Sequence, residues 1–249
     1  MAKKMSKKKG AISVWVLALI LMFLSFFALS LNMTTSWEMY HRANEAAEEA
    51  ARVRSQAVDT YLKEATGIVE IFHTGGLGYN DNVNHFSHLG IAGHTDPKLP
   101  SQYASTYVEA NKAAKHAAID MLTSGLGSTQ QGNDILSTID EGNVCILIFP
   151  LPDKVSEERT LSCQTSLGTV TAENVRISSV EDNTKTVYTD SNGNDQEVKV
   201  VNAVFVGVAF EHSHFLESFM VKMGSTAKTT KSVWAIAYPQ IDDCFGAHC

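Results

Sequence analysis

The chain has 249 residues and a formal net charge of −7, and 44% of its residues are apolar while 19% are charged. This composition excludes wholesale disorder, because a chain this apolar can bury one ordinary core or two small ones. Five lysines fall within the first nine residues, which leaves −12 for the remainder. An acidic remainder of that size argues against nucleic acid or anionic lipid as the main partner.

Residues Ala11–Leu31 have the pattern of a single transmembrane helix. These 21 residues carry no formal charge, and such a helix is about 30 Å long, the thickness of a bilayer's hydrocarbon core. The serines within it can bond back to their own helix. The basic flank Lys3–Lys9 predicts that the N-terminus stays in the cytoplasm. We therefore expect one pass through the cytoplasmic, or inner, membrane, with the C-terminal body exported.

A cleaved secretory signal is the competing interpretation of the same residues. Ala28-Leu29-Ser30 has the small-x-small spacing of a cleavage site. The apolar stretch from Ala11 to Phe27 is 17 residues long, whereas the apolar region of a signal peptide usually has about 7–15. The following residues also continue as a helical pattern. A retained anchor is favoured, and both interpretations export the body.

The segment from Ser36 to about Phe72 has the pattern of an amphipathic helix, so residues 32–72 are predicted to form a helical stalk. Apolar residues recur at steps of three and four, and charged residues occupy much of the remaining surface. Much of the apolar stripe is alanine: Ala43, Ala46, Ala47, Ala50, Ala57 and Ala65. Small side chains permit close approach, so the stripe predicts packing against the chain's own domain or against a second subunit.

Residues 73–142 are predicted to be a loop and helix region. His73–Pro100 is rich in Gly, Asn, His and Asp and has the composition of a loop. A helix is expected over Ser101–Ser124, with Gly125 placed to end it. A polar linker follows.

Residues 143–249 are predicted to be a β-rich exported domain. Asn192-Gly193 indicates a tight hairpin between two strands. The predicted strands are Val144–Phe149, Thr169–Ser178, Thr184–Thr189, Glu197–Phe210 and Ser232–Tyr238. The expected fold class is α+β: a long N-terminal membrane-spanning helix, preceded by a basic cytoplasmic tail or leader at 1–10, continues into helices and a mainly antiparallel sheet.

The four cysteines all lie in the β-rich region, which fits two disulfides in an oxidising compartment. Three pairings are open, and Cys145–Cys163 with Cys244–Cys249 is the one we favour. The paired C-x2-C spacings of a four-cysteine zinc site are absent.

Loop histidines are the strongest candidates for chemistry. His85, His88 and His94 fall in one Gly/Asn-rich loop and are weak candidates for binding zinc or copper. The sequence lacks the H-E-x-x-H arrangement, a phosphate-binding glycine pattern and the G-x-S-x-G nucleophile motif. We predict no catalytic residues, no cofactor and no enzymatic activity, and we expect exposed histidines without a metal.

The N-terminal quarter resembles the TadE/TadG-like proteins, which are pilin-like accessory proteins of bacterial Flp (tight-adherence) pilus systems. The resemblance lies in the basic stretch ending at Gly10, the apolar span, and the ladder Asn44-Glu45-Ala46-Ala47-Glu48-Glu49-Ala50-Ala51. The bond between Gly10 and Ala11 is the candidate site of leader cleavage in this pattern. Trp15 is the fifth residue after that bond, where many pilins have glutamate, which makes the likeness closer to the TadG-like branch. The Asp-x-Ser-x-Ser metal motif of some larger members of that branch is absent.

Two functions from different classes follow. The resemblance implies a membrane-anchored structural or assembly component of a surface pilus, with other pilus or secretion-system membrane subunits, or further copies of itself, as partners along the N-terminal helix. The alternative is an exported ligand- or metal-binding sensor module held by the same anchor.

Overall fold

The structure, a computed structural model, describes residues 3–58, 67–71, 99–124, 139–213 and 228–239. Side chains in these ranges are described except at residues 3–13, 31, 32, 35, 36, 99–107, 188, 212, 213, 228 and 229. The chain divides into two units. The first comprises Met1–His41 and His212–Thr229, and the second comprises Arg42–Glu211 and Thr230–Cys249.

Helix α1 spans Lys3–Ser55. No proline interrupts it, and leucine, alanine, methionine, glutamate and lysine, all strong helix formers, recur along it. It includes the whole of the predicted apolar span and most of the predicted stalk. The expectation that the helix continues to Phe72 is wrong. Beyond Ser55, Val58 forms a β-bridge with Ile71, and Ile68–Val69 is strand β1.

The chain after Gly67 is extended because it pairs with a later strand. Gly67 has φ +70°, and a Cβ there would lie 2.6 Å from the carbonyl oxygen of Glu197, so only glycine fits. The amide of Lys199 donates to the Gly67 oxygen at 2.9 Å. The β-branched Ile68, Val69 and Ile71 favour this extended backbone, and that preference prevails over the three- and four-residue spacing that predicted a helix.

Helix α2 spans Leu99–Thr123, which confirms the helix predicted over 101–124. A short 3-10 helix, Glu141–Asn143, leads into the first long strand. Its first turn is closed by a capping box in which Asp140 accepts from the Gly142 amide and Asn143 accepts from the Asp140 amide. Asn143 also donates to the Ala209 carbonyl at 3.0 Å, which fixes the turn to the sheet.

Within the residues that the structure describes, seven strands follow the turn and form three sheets with the short strand β1. The strands are β2 Val144–Pro150, β3 Glu157–Thr165, β4 Gly168–Ile177, β5 Thr184–Thr189, β6 Asp195–Val200, β7 Asn202–Ser213 and β8 Lys228–Ala237. The strand orders are β2-β7-β8, β3-β4 and β1-β6-β5. The pairs β2/β7, β3/β4 and β5/β6 are antiparallel, and β1/β6 is parallel. The α+β class is confirmed.

The sheet β2-β7-β8 is covered on both faces. Cys145, Phe149, Ala203 and Phe205 lie on one face and belong to a buried cluster that also contains residues of the β3-β4 hairpin. The other face presents buried side chains of Val144, Ile148, Val204, Val206 and Val208. Helix α2 contacts β2. A strand that is covered on both faces has a nearly continuous run of apolar residues in its sequence. For this reason β2 and β7 can be recognised from the sequence.

Gly207 creates the space in which the hairpin meets the sheet. It pairs with Cys145 across β2 and β7. A Cβ at this position would lie 2.7 Å from the Val170 Cβ and 2.9 Å from the Cys145 sulfur. The absence of a side chain therefore lets β4 approach the sheet closely.

The hairpin between β5 and β6 confirms the Asn-Gly prediction. Gly193 has φ +82°, and its amide donates to the Asp190 carbonyl at 2.9 Å. The Asp190 carboxylate accepts from the amides of Asn192 and Asn194 at 2.9 and 2.8 Å. These bonds lower the pKa of Asp190, and the bond from the Asn194 amide has the largest effect. The side chain closes a turn, as an Asx-turn residue does.

Two features of the β-region differ from the sequence prediction. The single strand expected over Glu197–Phe210 is two strands, β6 and β7, separated at Val201. Strand β3 was not predicted, because its residues are mostly polar and its outward face is exposed. The predicted loop His73–Pro100, apart from its last two residues, and most of the linker lie outside the described residues.

Candidate functional site

The longest exposed apolar surface of the described residues lies on α1 between Val14 and Leu29. Every large apolar side chain there is exposed, by 49–74%. A contiguous surface of this kind marks a site of membrane or protein interaction. It is the main candidate for function in the first unit.

Two polar side chains, one within this surface and one just beyond it, bond back to the helix. Ser25 donates to the Leu21 carbonyl at 2.8 Å, and Thr34 donates to the Ser30 carbonyl at 3.0 Å. Back-bonding of this kind removes the need for water at a serine or threonine. The prediction made for the serines is confirmed for Ser25.

No helix in the described part of the chain is both long enough and apolar enough to cross a membrane. The predicted span Ala11–Leu31 begins and ends in residues whose side chains are not described, namely Ala11–Ser13 and Leu31.

The alanine ladder is buried by the chain itself. Ala43, Ala46, Ala47, Ala50 and Ala51 are each at most 1% exposed. Of the two interpretations left open by the sequence, packing against the chain's own domain is therefore confirmed for these five residues. The ladder is not a surface available to another subunit.

Arg54 extends the buried side of α1 with a charged group. Its side chain is fully buried, and its Nε donates to Asn111 Oδ1 of α2 at 2.6 Å. Glu70, beside β1, is also buried. Sequence analysis missed Arg54, although it follows Ala50 by four residues and so falls on the apolar face.

Asn202 links the segment after α1 to the sheet. Its Oδ1 accepts from the Ile71 amide at 2.8 Å, and its Nδ2 donates to the Ile71 carbonyl at 3.1 Å. The side chain thus makes the two bonds that a neighbouring strand would make. It lies at the point where β6 passes into β7.

Ser156, Ser179 and Asp182 connect the two ends of the β3-β4 hairpin. The Ser156 hydroxyl donates to Asp182 Oδ2 at 2.6 Å, and the Ser179 amide donates to Ser156 Oγ at 3.2 Å. The Asp182 amide donates to Ser179 Oγ at 3.1 Å. Hydrogen bonding by Ser156, and after it by Ser179, whose amide also donates to Asp182 Oδ2 at 3.4 Å, lowers the pKa of the Asp182 carboxyl. With its pKa lowered, the Asp182 carboxylate is a weak base, and the hydrogen bonds of the cluster tie the two ends of the hairpin together.

Asp182→Asn is expected to lower the thermal midpoint by about 1–3 °C at pH 7. The folded pKa of Asp182 is lowered, so the ionised group stabilises the fold above its unfolded pKa of about 3.9, and this contribution is lost as the pH falls further. The difference between variant and parent should therefore shrink between pH 4 and pH 2, as thermal melts at several pH values would show. Glu181→Gln, an exposed neighbour, is the control. A difference independent of pH would contradict the assignment.

The predicted histidine site lies outside the described residues. This holds for His85, His88 and His94, and the described residues contain no group of three or more potential ligands able to hold a metal. One histidine contact not predicted from sequence is that of His116 with Glu141, 2.8 Å apart and joining α2 to the 3-10 helix. Both side chains are largely exposed, so the pair is a surface contact.

Cys145 and Cys163 form a disulfide, as predicted. It joins β2 to β3, which belong to different sheets, so it crosslinks the hairpin to the main sheet. Cys244 and Cys249 lie outside the described residues.

Comparison of the chain with models of protein families, with curated proteins and with solved structures finds no match.

Proposed function

We propose that the chain is a membrane-anchored, pilin-like structural or assembly component of a bacterial Flp/Tad-type surface pilus. The proposal has three parts: an anchor, an exported body, and a role in assembly. Each has its own support.

The anchor is supported by the exposed apolar surface of α1. Thirteen large apolar side chains between Val14 and Leu29 are open to the surroundings. Exposing that much apolar surface to water is unfavourable by about 25 cal/mol per Å², whereas lipid is a favourable environment for it. The proposal concerns the full uncharged stretch Ala11–Leu31, which extends beyond these residues at both ends.

Export of the body is supported by the lysines and by the disulfide. Lysines ahead of an apolar helix favour its N-terminus in the cytoplasm. A bridge between Cys145 and Cys163 fits an oxidising compartment. Both support an exported second unit.

The assembly role is supported by the TadE/TadG-like pattern of the first 60 residues. In this chain the alanine ladder of that pattern packs the helix onto the body. One continuous helix therefore carries the apolar segment and ends within the folded domain.

The test of the anchor is the double substitution Leu21→Arg with Leu24→Arg in the full chain. Each arginine near the centre of a membrane helix is unfavourable by about 2.5–3.5 kcal/mol. We expect the parent to stay in membranes after alkaline extraction and the variant to be released. The matched control is the double substitution Val108→Arg with Val155→Arg, which adds the same two charges at exposed positions of the body. This control should remain in membranes. Release of the parent, or retention of the variant, would contradict the anchor.

The assembly role has a separate test. Deleting the gene should abolish surface fibres, and the plasmid-borne parent should restore them while the Leu21→Arg, Leu24→Arg variant should not. Normal fibres in the deletion strain would contradict a role in pilus assembly.

A further inference from the structure

Trp37 and Tyr40 are two large rings on α1 that the chain leaves exposed beyond the apolar stretch. They are 68% and 45% exposed, whereas Met39, between them in sequence, is only 3% exposed. On a helix the two rings are about 60° apart, and Met39 is at least about 100° from either of them. The chain therefore buries one side of α1 at this level and leaves both rings on another side. Their neighbours in sequence are mostly polar, which sets them apart from the exposed residues of Val14–Leu29.

Tryptophan and tyrosine suit a layer that is apolar on one side and wet on the other. Each has a large apolar ring and one polar group, the indole N–H or the phenol O–H, and both are enriched where a membrane meets water. The Trp37 ring also lies edge-on to the His41 ring, with centroids 5.3 Å apart and an interplanar angle of 74°. This contact holds the Trp37 ring beside its own helix.

The length of α1 places the two rings at one surface of a bilayer when the lysines lie at the other. Along the helix axis, Trp37 is about 42 Å and Tyr40 about 47 Å from Lys9. At the usual tilt of about 20°, these lengths correspond to about 39 and 44 Å along the membrane normal. A bilayer with its headgroups is about 40–45 Å thick. With Lys9 among the headgroups of the cytoplasmic leaflet, both rings therefore reach the headgroups of the opposite leaflet.

The apolar stretch stays within the lipid in this position. The midpoint between Lys9 and Trp37 is Phe23, only two residues from the centre of Ala11–Leu31. The polar residues just before Trp37 then lie at the boundary of the hydrocarbon core. Among them, the Thr34 hydroxyl already bonds to a carbonyl of its own helix, so it does not require water there.

We infer that Trp37 and Tyr40 bind the phospholipid headgroup layer of the extracytoplasmic leaflet and hold α1 at a fixed depth. The inference rests on the proposed anchor and adds a second contact with lipid, outside the apolar stretch. The partner is a lipid surface, recognised through the amphipathic rings.

The test uses the intrinsic fluorescence of the full chain, which has three tryptophans: Trp15, Trp37 and Trp234. Trp15→Phe with Trp234→Phe leaves Trp37 as the reporter and keeps an apolar ring at both changed positions. The variant is reconstituted in phosphatidylcholine vesicles whose acyl chains carry bromine, a quencher, either near the headgroup or near the chain end. We expect bromine near the headgroup to quench Trp37 at least about twofold more strongly, because interfacial rings lie at headgroup level.

The two other single-tryptophan chains are the controls. Trp15→Phe with Trp37→Phe leaves Trp234, which is 41% exposed on the body and should not be quenched by either lipid. Trp37→Phe with Trp234→Phe leaves Trp15, which should be quenched by both lipids and so reads the anchor separately.

Quenching of Trp37 no stronger than that of Trp234 would overturn the inference and would indicate a protein partner or water around the ring. If Trp15 is quenched in the same experiment, the anchor stands and only the headgroup contact is refuted. If neither Trp15 nor Trp37 is quenched, the anchor is refuted as well. Adding Tyr40→Ser to the Trp37 reporter should reduce its preference for bromine near the headgroup, and an unchanged preference would contradict the part assigned to Tyr40.

Discussion

Arg54→Ala is expected to lower the free energy of unfolding by about 2–4 kcal/mol, because a buried hydrogen bond from a charged group contributes about 1.5–3 kcal/mol and truncation adds a cavity. Arg54 is fully buried near the end of α1 and donates to Asn111 Oδ1. Its loss leaves the Asn111 oxygen without that donor and leaves a cavity between α1 and α2. Both effects act against the packing of α1 on the body.

Arg52→Ala is the matched control for this measurement. Arg52 lies two residues away on the same helix and pairs with Glu49 at 2.5 Å, but its side chain is 54% exposed. Exposed pairs contribute about 0–1 kcal/mol. Urea unfolding of the full chain in detergent, followed by circular dichroism, should separate the two variants by at least about 1 kcal/mol. Equal effects would show that burial of Arg54 does not determine its contribution.

The sequence predicts the α+β class and most of the strands because the buried strands have a simple signature. Strand β2, Val144–Pro150, is an unbroken apolar run, and Asn192-Gly193 marks the turn between β5 and β6. Strand β3 lacks such a signature, since only Leu161 and Thr165 along it are buried. Its place depends on contacts with residues distant in sequence, which local patterns do not encode.

The end of α1 illustrates the same limit. Beyond Ser55 the apolar spacing suits a helix, but Gly67–Ile71 forms hydrogen bonds with β6 and with Asn202, more than 120 residues later. Such a partner is invisible in a local window. Arg54 was missed for a related reason: helical position places it on the buried face, whereas residue type argues for the surface.

The candidate site was only partly predictable. The apolar segment of α1 is evident from composition, and the serine back-bonding follows from helix geometry. The sequence of the alanine ladder, however, does not distinguish packing on the chain's own domain from contact with a second subunit, because small residues suit both. Burial of Ala43, Ala47 and Ala50 resolves that choice. The exposed surface of α1 is formed by its large apolar side chains instead.

Removing the disulfide, as Cys145→Ala with Cys163→Ala, is expected to lower the free energy of unfolding by about 3 kcal/mol. The bond closes a loop with a sequence separation of 18, and a loop of this length restricts the unfolded chain by about that amount. The effect should be concentrated in the β3-β4 hairpin, which forms its own two-stranded sheet. Val170 of the hairpin packs against the space left by Gly207 on the main sheet, and with the bond removed that apolar contact holds β3 and β4 in place.

Urea unfolding of the parent and the double variant, each with and without reductant, isolates the contribution of this bond. Reductant should destabilise the parent by about as much as the substitution does, because both remove the same restriction on the unfolded chain. In the double variant, reductant should have little further effect on the unfolding of the sheet. If the parent and the double variant unfold at the same urea concentration, the bond does not fasten the hairpin, and packing around Val170 alone accounts for the position of β3 and β4.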